Sequence, residues 1–275
     1  MKILTNVTGS TFRSLKARSL KARSFKAIAA ALLVAVAVPQ SGFTAGGGAE
    51  LEHFSPVRTD RALQRGARTF MNYCQGCHTA DYQRYSRLAE DIGLSDEDML
   101  ENMVFTTDAE GEQSKVGSLI GTNMSKEYAK TAFGVVPPNL ALVSRSRGVD
   151  WLYTYMKSFY LDQSRPLGAN NTVYPNVGMP HVLADLQGWQ TPVYHEDDEG
   201  HQVLDGFQQV TAGKLSTEEY DSTITDLVSF LDYLGDPNRE ARHSLGIKVM
   251  LFLFLFLGLA ILLKKEYWKD VPHNN

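Results

Sequence analysis

Apolar positions recur at helical spacing in four stretches of this chain, and one unbroken apolar run closes it. Within residues 60–74, Leu63, Ala67, Phe70 and Tyr73 fall three and four apart, which predicts a helix with Asp60 as its N-cap. Gly66 sits mid-helix at a cost of about 1 kcal/mol against Ala and permits close packing there. A second helix runs from Ser95 into Phe105: Ser95 caps it, Glu97 and Asp98 occupy its first turn, and Leu100, Met103 and Val104 form its stripe. Val149 to Leu161 is dense in aromatics and shows both helical and alternating features. Helix is favoured, capped by Asp150, because the stretch follows Arg147-Gly148 and is long for a strand. The fourth helix starts with a Ser216…Glu219 capping box, continues through Ile224, Leu227, Val228, Leu231 and Leu234, and stops at Gly235 and Pro237. Between these lie an exposed connection (108–122), a loop rich in turn formers (162–180) and a polar surface hairpin (195–206). The expected architecture is all-α, with the last helix packed back on the first, plus one C-terminal transmembrane helix.

The ends locate that domain. Val249 to Leu263 are fifteen apolar residues in a row, and adding Leu245 to Lys248 makes nineteen. Such a helix covers roughly 25–28 Å, enough for a bilayer core. The run has no polar face for a globular surface, and Lys264, Lys265, Tyr267, Trp268 and Lys269 suit the interface beyond it. At the other end, residues 1–26 hold seven Lys/Arg and no acid. An apolar run (27–38) and a small-residue stretch (41–48) come next, the pattern of a secretory signal. A near-duplicate Ser-Leu-Lys-Ala-Arg (14–18 and 19–23) extends the basic region, and a mitochondrial transit peptide shares its composition. Either kind of leader exports the domain behind it. The expected division is a signal peptide at 1–45, an exported domain at 46–246, a transmembrane helix at 247–263 and a cytoplasmic tail at 264–275.

Charge sharpens this picture. Residues 46–246 contain 16 Lys/Arg against 29 Asp/Glu, a net of −13 that the whole-chain value of −4 conceals. A surface of this sign steers basic partners and repels nucleic acid.

Both cysteines of the chain lie in Cys74-Gln-Gly-Cys-His78. Two thiols at this spacing can add to the vinyl groups of one haem c, and the adjacent histidine then sits beneath the iron. A redox dithiol would be expected near a βαβ pattern, and zinc would need two further ligands. The open face of the iron needs another donor. Met99, Met103 and Met156 lie in predicted helices and suit core packing, while Met71 is too near the attachment site to reach the far side. Met124 and Met179 fall in irregular segments. Met179 has the better context, between Gly178 and Pro180, with His181 as its rival.

The order Cys74-Gln-Gly-Cys-His78, Phe133-Gly-Val-Val-Pro-Pro-Asn-Leu140, Arg145-Ser-Arg147, Asp150-Trp-Leu-Tyr153 and Gly178-Met-Pro-His-Val-Leu183, then a tail anchor, resembles the cytochrome c1 family in its proteobacterial form. These are the haem subunits of the quinol–cytochrome c reductase (cytochrome bc) complex. The resemblance implies a cytochrome c-like mono-haem domain with loop insertions. It makes Cys74 and Cys77 the thioether attachments, His78 the proximal ligand and Met179 the distal one. It also puts the Pro138 carbonyl near the far nitrogen of His78, and Arg147, with Arg145 beside it, on a haem propionate. Implied partners are the cytochrome b subunit, the Rieske iron–sulfur subunit, a cytochrome c acceptor and membrane lipid. The implied location is the inner (cytoplasmic) membrane, single-pass, with the haem domain periplasmic. By this resemblance the subunit would take electrons from the iron–sulfur protein and pass them to cytochrome c, without being a stand-alone catalyst. The family usually has Asp after the two prolines, where Asn139 stands here. The competing readings are an anchored cytochrome c feeding a terminal oxidase, which more often has an N-terminal anchor or several CxxCH motifs, and a haem gas sensor with an open sixth position.

Overall fold

The computed structural model describes residues 50–271. The leader, its apolar run and the cleavage zone lie outside the described residues, as do the last four residues of the tail.

Helix α1 (Asp60–Tyr73) forms as the spacing predicts and buries Leu63, Ala67 and Phe70 on one face. Its N-cap is Thr59 rather than Asp60: the Thr59 hydroxyl accepts the Ala62 N–H, and Asp60 becomes the acid of the first turn. Near the far end of the domain, α8 (Thr217–Gly235) begins with the expected capping box. Ser216 Oγ accepts the Glu219 N–H at 3.2 Å, and Glu219 Oε2 accepts the Ser216 N–H at 2.9 Å. These two helices cross at Gly66. A Cβ there would run into the Asp226 carbonyl and the Phe230 Cβ, so glycine is what lets the backbones approach. On either side of the contact, Arg65 forks onto the buried carboxylate of Asp226 and the Phe70 and Phe230 rings meet at 5.6 Å.

The elements between are short. They are β1 (Ala80–Arg84), α2 (Tyr85–Asp91), α3 (Asp96–Met103), β2 (Leu119–Ile120), α4 (Lys126–Phe133), α5 (Val143–Arg147), α6 (Val149–Lys157), β3 (Phe159–Leu161), β4 (Ala169–Asn171), α7 (Ala184–Gln187), β5 (Gly188–Glu196) and β6 (Gln202–Ala212). Ser95 caps α3 as expected, accepting the Asp98 N–H at 3.0 Å. Three antiparallel pairs, β1–β2, β3–β4 and β5–β6, correct the all-α expectation. Two of them have strands of at most five residues, too short for a period of two to stand out. The third is an exposed ribbon with no buried face along most of its length, so it leaves little apolar alternation to read.

The aromatic stretch also divides differently from the expectation. Helix α6 stops at Lys157, and Phe159–Leu161 continue as a strand paired with Ala169–Asn171. Asp150 does not cap α6. Gly148, at φ +89°, turns the chain there, and the Asp150 carboxylate accepts the Phe54 N–H at 2.8 Å instead. With Val57 N–H donating to Ser229 Oγ at 2.9 Å, that bond straps the segment before α1 across α6 and α8.

Helix α9 (Arg239–Tyr267) runs without a break through the apolar stretch, starting upstream of residue 247 and ending beyond 263. It is long and apolar enough to cross a membrane, and its apolar window is wholly exposed. At its foot, Asp232 meets Arg58 at 2.7 Å and Arg239 at 3.5 Å, while Asp236 meets Arg242 and, at 3.7 Å, Arg145. The Arg242 hydrogen bond, aided by the charges of Arg145 and Arg58, holds the Asp236 carboxyl below its ordinary range. A depressed carboxylate contributes stability above its unfolded pKa and loses it as the pH falls through the lower folded value. Thermal unfolding in detergent between pH 6 and pH 3 is therefore expected to fall more steeply for the wild type than for Asp236→Asn. Equal slopes would show that this carboxylate contributes nothing at the junction.

Candidate functional site

The CxxCH motif caps α1. Cys74 is the C-cap, its N–H donating to the Phe70 carbonyl at 2.9 Å, and the N–H groups of Cys77 and His78 both return to the Cys74 carbonyl at 3.0 and 2.9 Å. This turn presents two free cysteines and the histidine together. Burial, with Cys77 nearby, pushes the Cys74 thiol up to about 12, and burial raises Cys77 as well. Reactive dithiols have lowered thiol pKa values, so the environment here is the wrong one for thiol–disulfide exchange. Among the described residues no group of three or more His, Cys, Asp or Glu is placed to hold a metal ion, so zinc has no completing ligands.

His78 is buried, which lowers its pKa and favours the neutral ring, and its Nδ1 lies 2.8 Å from the Pro138 carbonyl. A carbonyl only accepts, so the proton belongs on Nδ1 and the Nε2 lone pair is left for a metal. The backbone explains why this carbonyl is there. Leu140 N–H donates to the Thr79 carbonyl at 2.8 Å, which lays the Pro137–Leu140 segment against the residues just past the motif. Asn139 completes the turn: its Oδ1 accepts the Ala141 N–H at 2.9 Å and its amide donates to Asp81. An aspartate at 139 could only accept and would face the Asp81 carboxylate.

Met179 sits half-buried in the loop after β4, and that loop is tied down by two buried asparagines. Asn171 Oδ1 accepts the Val173 and Tyr174 N–H groups at 2.9 and 3.1 Å, and its amide donates to the Tyr155 carbonyl at 2.8 Å. Asn170 Oδ1 accepts the Asn176 N–H at 2.8 Å. Against the sulfur of Met179, at 3.4 Å, lies the Tyr155 hydroxyl. Burial raises the Tyr155 pKa far above its ordinary value, so it stays protonated. His181, two residues on, stacks on Phe159 at 5.0 Å. Among the described residues its buried Nε2 has no hydrogen-bond partner, and burial pushes its pKa down to about 4.

The two arginines separate. Arg145 turns to Asp236 at the foot of α9, whereas Arg147 lies over the Trp151 ring at 5.1 Å and the Tyr174 ring at 5.8 Å. Among the described residues no carboxylate pairs with Arg147. The buried indole N–H of Trp151 likewise lacks an acceptor. An unpaired guanidinium beside an orphaned indole donor is an arrangement that suits a carboxylate supplied from outside the chain. Together with the paired thiols and the free histidine nitrogen, these groups fit a haem c. In sequence, Trp151 has a place in the family motif but no role, and Tyr155 reads only as part of an aromatic helix. Their separation by four residues, one face of a helix, was the signal that they act together.

The family model described as the Cytochrome C1 family matches residues 53–271. The chain belongs to the cytochrome c1 family. It is 48% identical to cytochrome c1 of Allochromatium vinosum over 85% of this chain and 94% of that one. It is also 42% identical to the ammonia monooxygenase gamma subunit of Nitrosomonas europaea, over 87% of this chain and 97% of that one. Cytochrome c1 of Rhodospirillum rubrum shares 22% identity over 77% and 82% of the two chains. Membership of the cytochrome c1 family makes this protein a haem electron-transfer subunit of the bc1 complex, membrane-anchored and carrying one covalently bound haem c. The C-terminal apolar helix α9 fits the single membrane span of such a subunit.

Proposed function

We propose that the subunit takes an electron from the Rieske iron–sulfur protein beside cytochrome b and delivers it to a basic cytochrome c. In this reading the domain lies on the periplasmic face of the inner membrane and the tail is cytoplasmic. The bound haem supplies a one-electron couple. Cys74 and Cys77 would hold it by thioethers, and His78 and Met179 would be its two protein ligands. The single observation that carries this is the His78 Nδ1–Pro138 carbonyl contact, which fixes the tautomer and leaves Nε2 to coordinate. Arg147 and the Trp151 indole would receive a propionate, replacing with one anion the partners both lack. No acid or base is asked to move a proton.

A visible spectrum tests the ligation: the reduced protein should be low-spin and should not bind carbon monoxide readily. Avid binding would favour the gas-sensor reading. Purification in mild detergent tests the assembly, because a b-type haem subunit and an iron–sulfur protein should accompany this chain. Recovery with a terminal oxidase instead would favour the alternative role.

The acceptor side rests on charge. The β5–β6 ribbon ends in Glu196, Asp197, Asp198 and Glu199. Asp197 is spent on the turn, accepting the Glu199 and His201 N–H groups at 2.9 and 2.8 Å, while Glu196, Asp198 and Glu199 remain exposed. The second-order rate with a basic cytochrome c should fall at least about tenfold between low and high salt. Neutralising Glu196, Asp198 and Glu199 together should flatten that dependence. An unchanged slope would make the tip a solvated turn.

A further inference from the structure

Tyr155 occupies a position that neither the ligation nor the propionate contacts require. Its hydroxyl is buried, and among the described residues its one hydrogen-bond partner is the thioether sulfur of Met179, at 3.4 Å. The ring cannot easily turn away. Trp151 stacks on one side at 4.7 Å and 11°, Phe159 meets it edge-on at 5.0 Å, and Asn171 holds the Tyr155 carbonyl at 2.8 Å. A buried hydroxyl normally finds an oxygen or nitrogen acceptor, and a sulfur is a weak one. Here a rigid aromatic frame aims the hydroxyl at the sulfur.

We propose that Tyr155 tunes the reduction potential of this protein by donating a hydrogen bond to the sulfur of its distal ligand. This rests on the assignment of Met179 above. A thioether sulfur has two lone pairs, so one can coordinate a metal while the other accepts a proton. The O–H donor withdraws electron density from the sulfur, which weakens its donation to the electron-poor ferric state more than to the ferrous state. The bond therefore favours the reduced form, and hydrogen bonding around an axial ligand is one of the ways a protein sets a haem potential. Tyr155 is in this sense a positioning residue for the redox couple, with no part in proton transfer.

The test is Tyr155→Phe in the full-length, haem-loaded protein, which keeps the ring and its stacking and removes only the hydroxyl. Redox titration should show the reduction equilibrium constant lowered about three- to tenfold, the differential part of one neutral hydrogen bond. At 59 mV per tenfold for one electron this is a fall of about 30–60 mV. The charge-transfer band of the ferric methionine-ligated form should move but persist. Tyr153→Phe, on the same helix but stacked on Phe54 at 4.8 Å, should leave the potential unchanged. An unchanged or raised potential in Tyr155→Phe overturns the proposal. So does loss of the band with new carbon monoxide binding, which would mean that the hydroxyl holds the methionine in place. Met179→Leu separates the two readings. If that variant stays low-spin and closed, the ligand assignment fails; if it opens while Tyr155→Phe has no effect, only the tuning role fails.

Discussion

Met179→Leu is expected to lower the midpoint potential by on the order of hundreds of millivolts and to let the reduced protein bind carbon monoxide. Axial ligand identity spans about 0.8 V across haem proteins, and methionine lies toward its high end because a thioether donates weakly to the ferric state. Leucine fills nearly the same space and brings no lone pair, so the surrounding loop should persist. The asparagine bonds that hold it are made by Asn170 and Asn171 and do not involve the Met179 side chain. Redox titration and a reduced-plus-carbon-monoxide difference spectrum measure both effects. If His181→Ala produced them and Met179→Leu did not, the distal ligand would be His181, whose buried Nε2 has no partner among the described residues.

The second large effect is structural. Gly66→Val is expected to abolish accumulation of haem-stained protein in the membrane, and Gly66→Ala to give a folded but destabilised form. In an isolated helix Ala would gain about 1 kcal/mol over Gly. Overpacking costs typically 1–3 kcal/mol and occasionally more. Here the obstruction is the backbone carbonyl of Asp226 and the Phe230 Cβ, which cannot swing aside as the end of a side chain could. The clash wins, and α1 and α8 must part, which disturbs both the Arg65–Asp226 ion pair and the helix that carries Cys74. Thermal unfolding of Gly66→Ala decides the matter. A more stable variant would mean that the helices do not meet as closely as the structure has them.

The helical frame was legible because its signals are local. Ser216 with Glu219, Ser95 with Asp98, and the apolar rows of α1 and α8 each declare a helix within a few residues. The candidate site was legible where haem attachment would fix the spacing, as at Cys74, Cys77 and His78. What the sequence concealed depends on contacts between distant segments. The strand Phe159–Leu161 exists because Ala169–Asn171 pairs with it, and before pairing its three residues read as the end of a helix. Asp150 looks like a cap until Phe54, far off in the chain, donates to it. Arg145 and Arg147 stand two apart in one loop-and-helix segment, and the contact that takes Arg145 away comes from Asp236 at the foot of α9. Asn139 reads as a lost charge, and only the fold shows its amide bonded to Asp81. The hydroxyl of Tyr155 had no visible role until the loop after β4 brought a sulfur to it.

The link between α8 and α9 is three residues, Asp236 to Asn238, and the carboxylates around it are clamped by arginines from both sides. Such a tether has almost no slack. Helix α8, packed on the helix that leads to Cys74, passes into the apolar helix α9 through this short link, so a domain anchored by α9 would keep a nearly constant height above a bilayer, unlike one on a flexible linker. A domain so held would meet its partners within a narrow band of heights above the membrane.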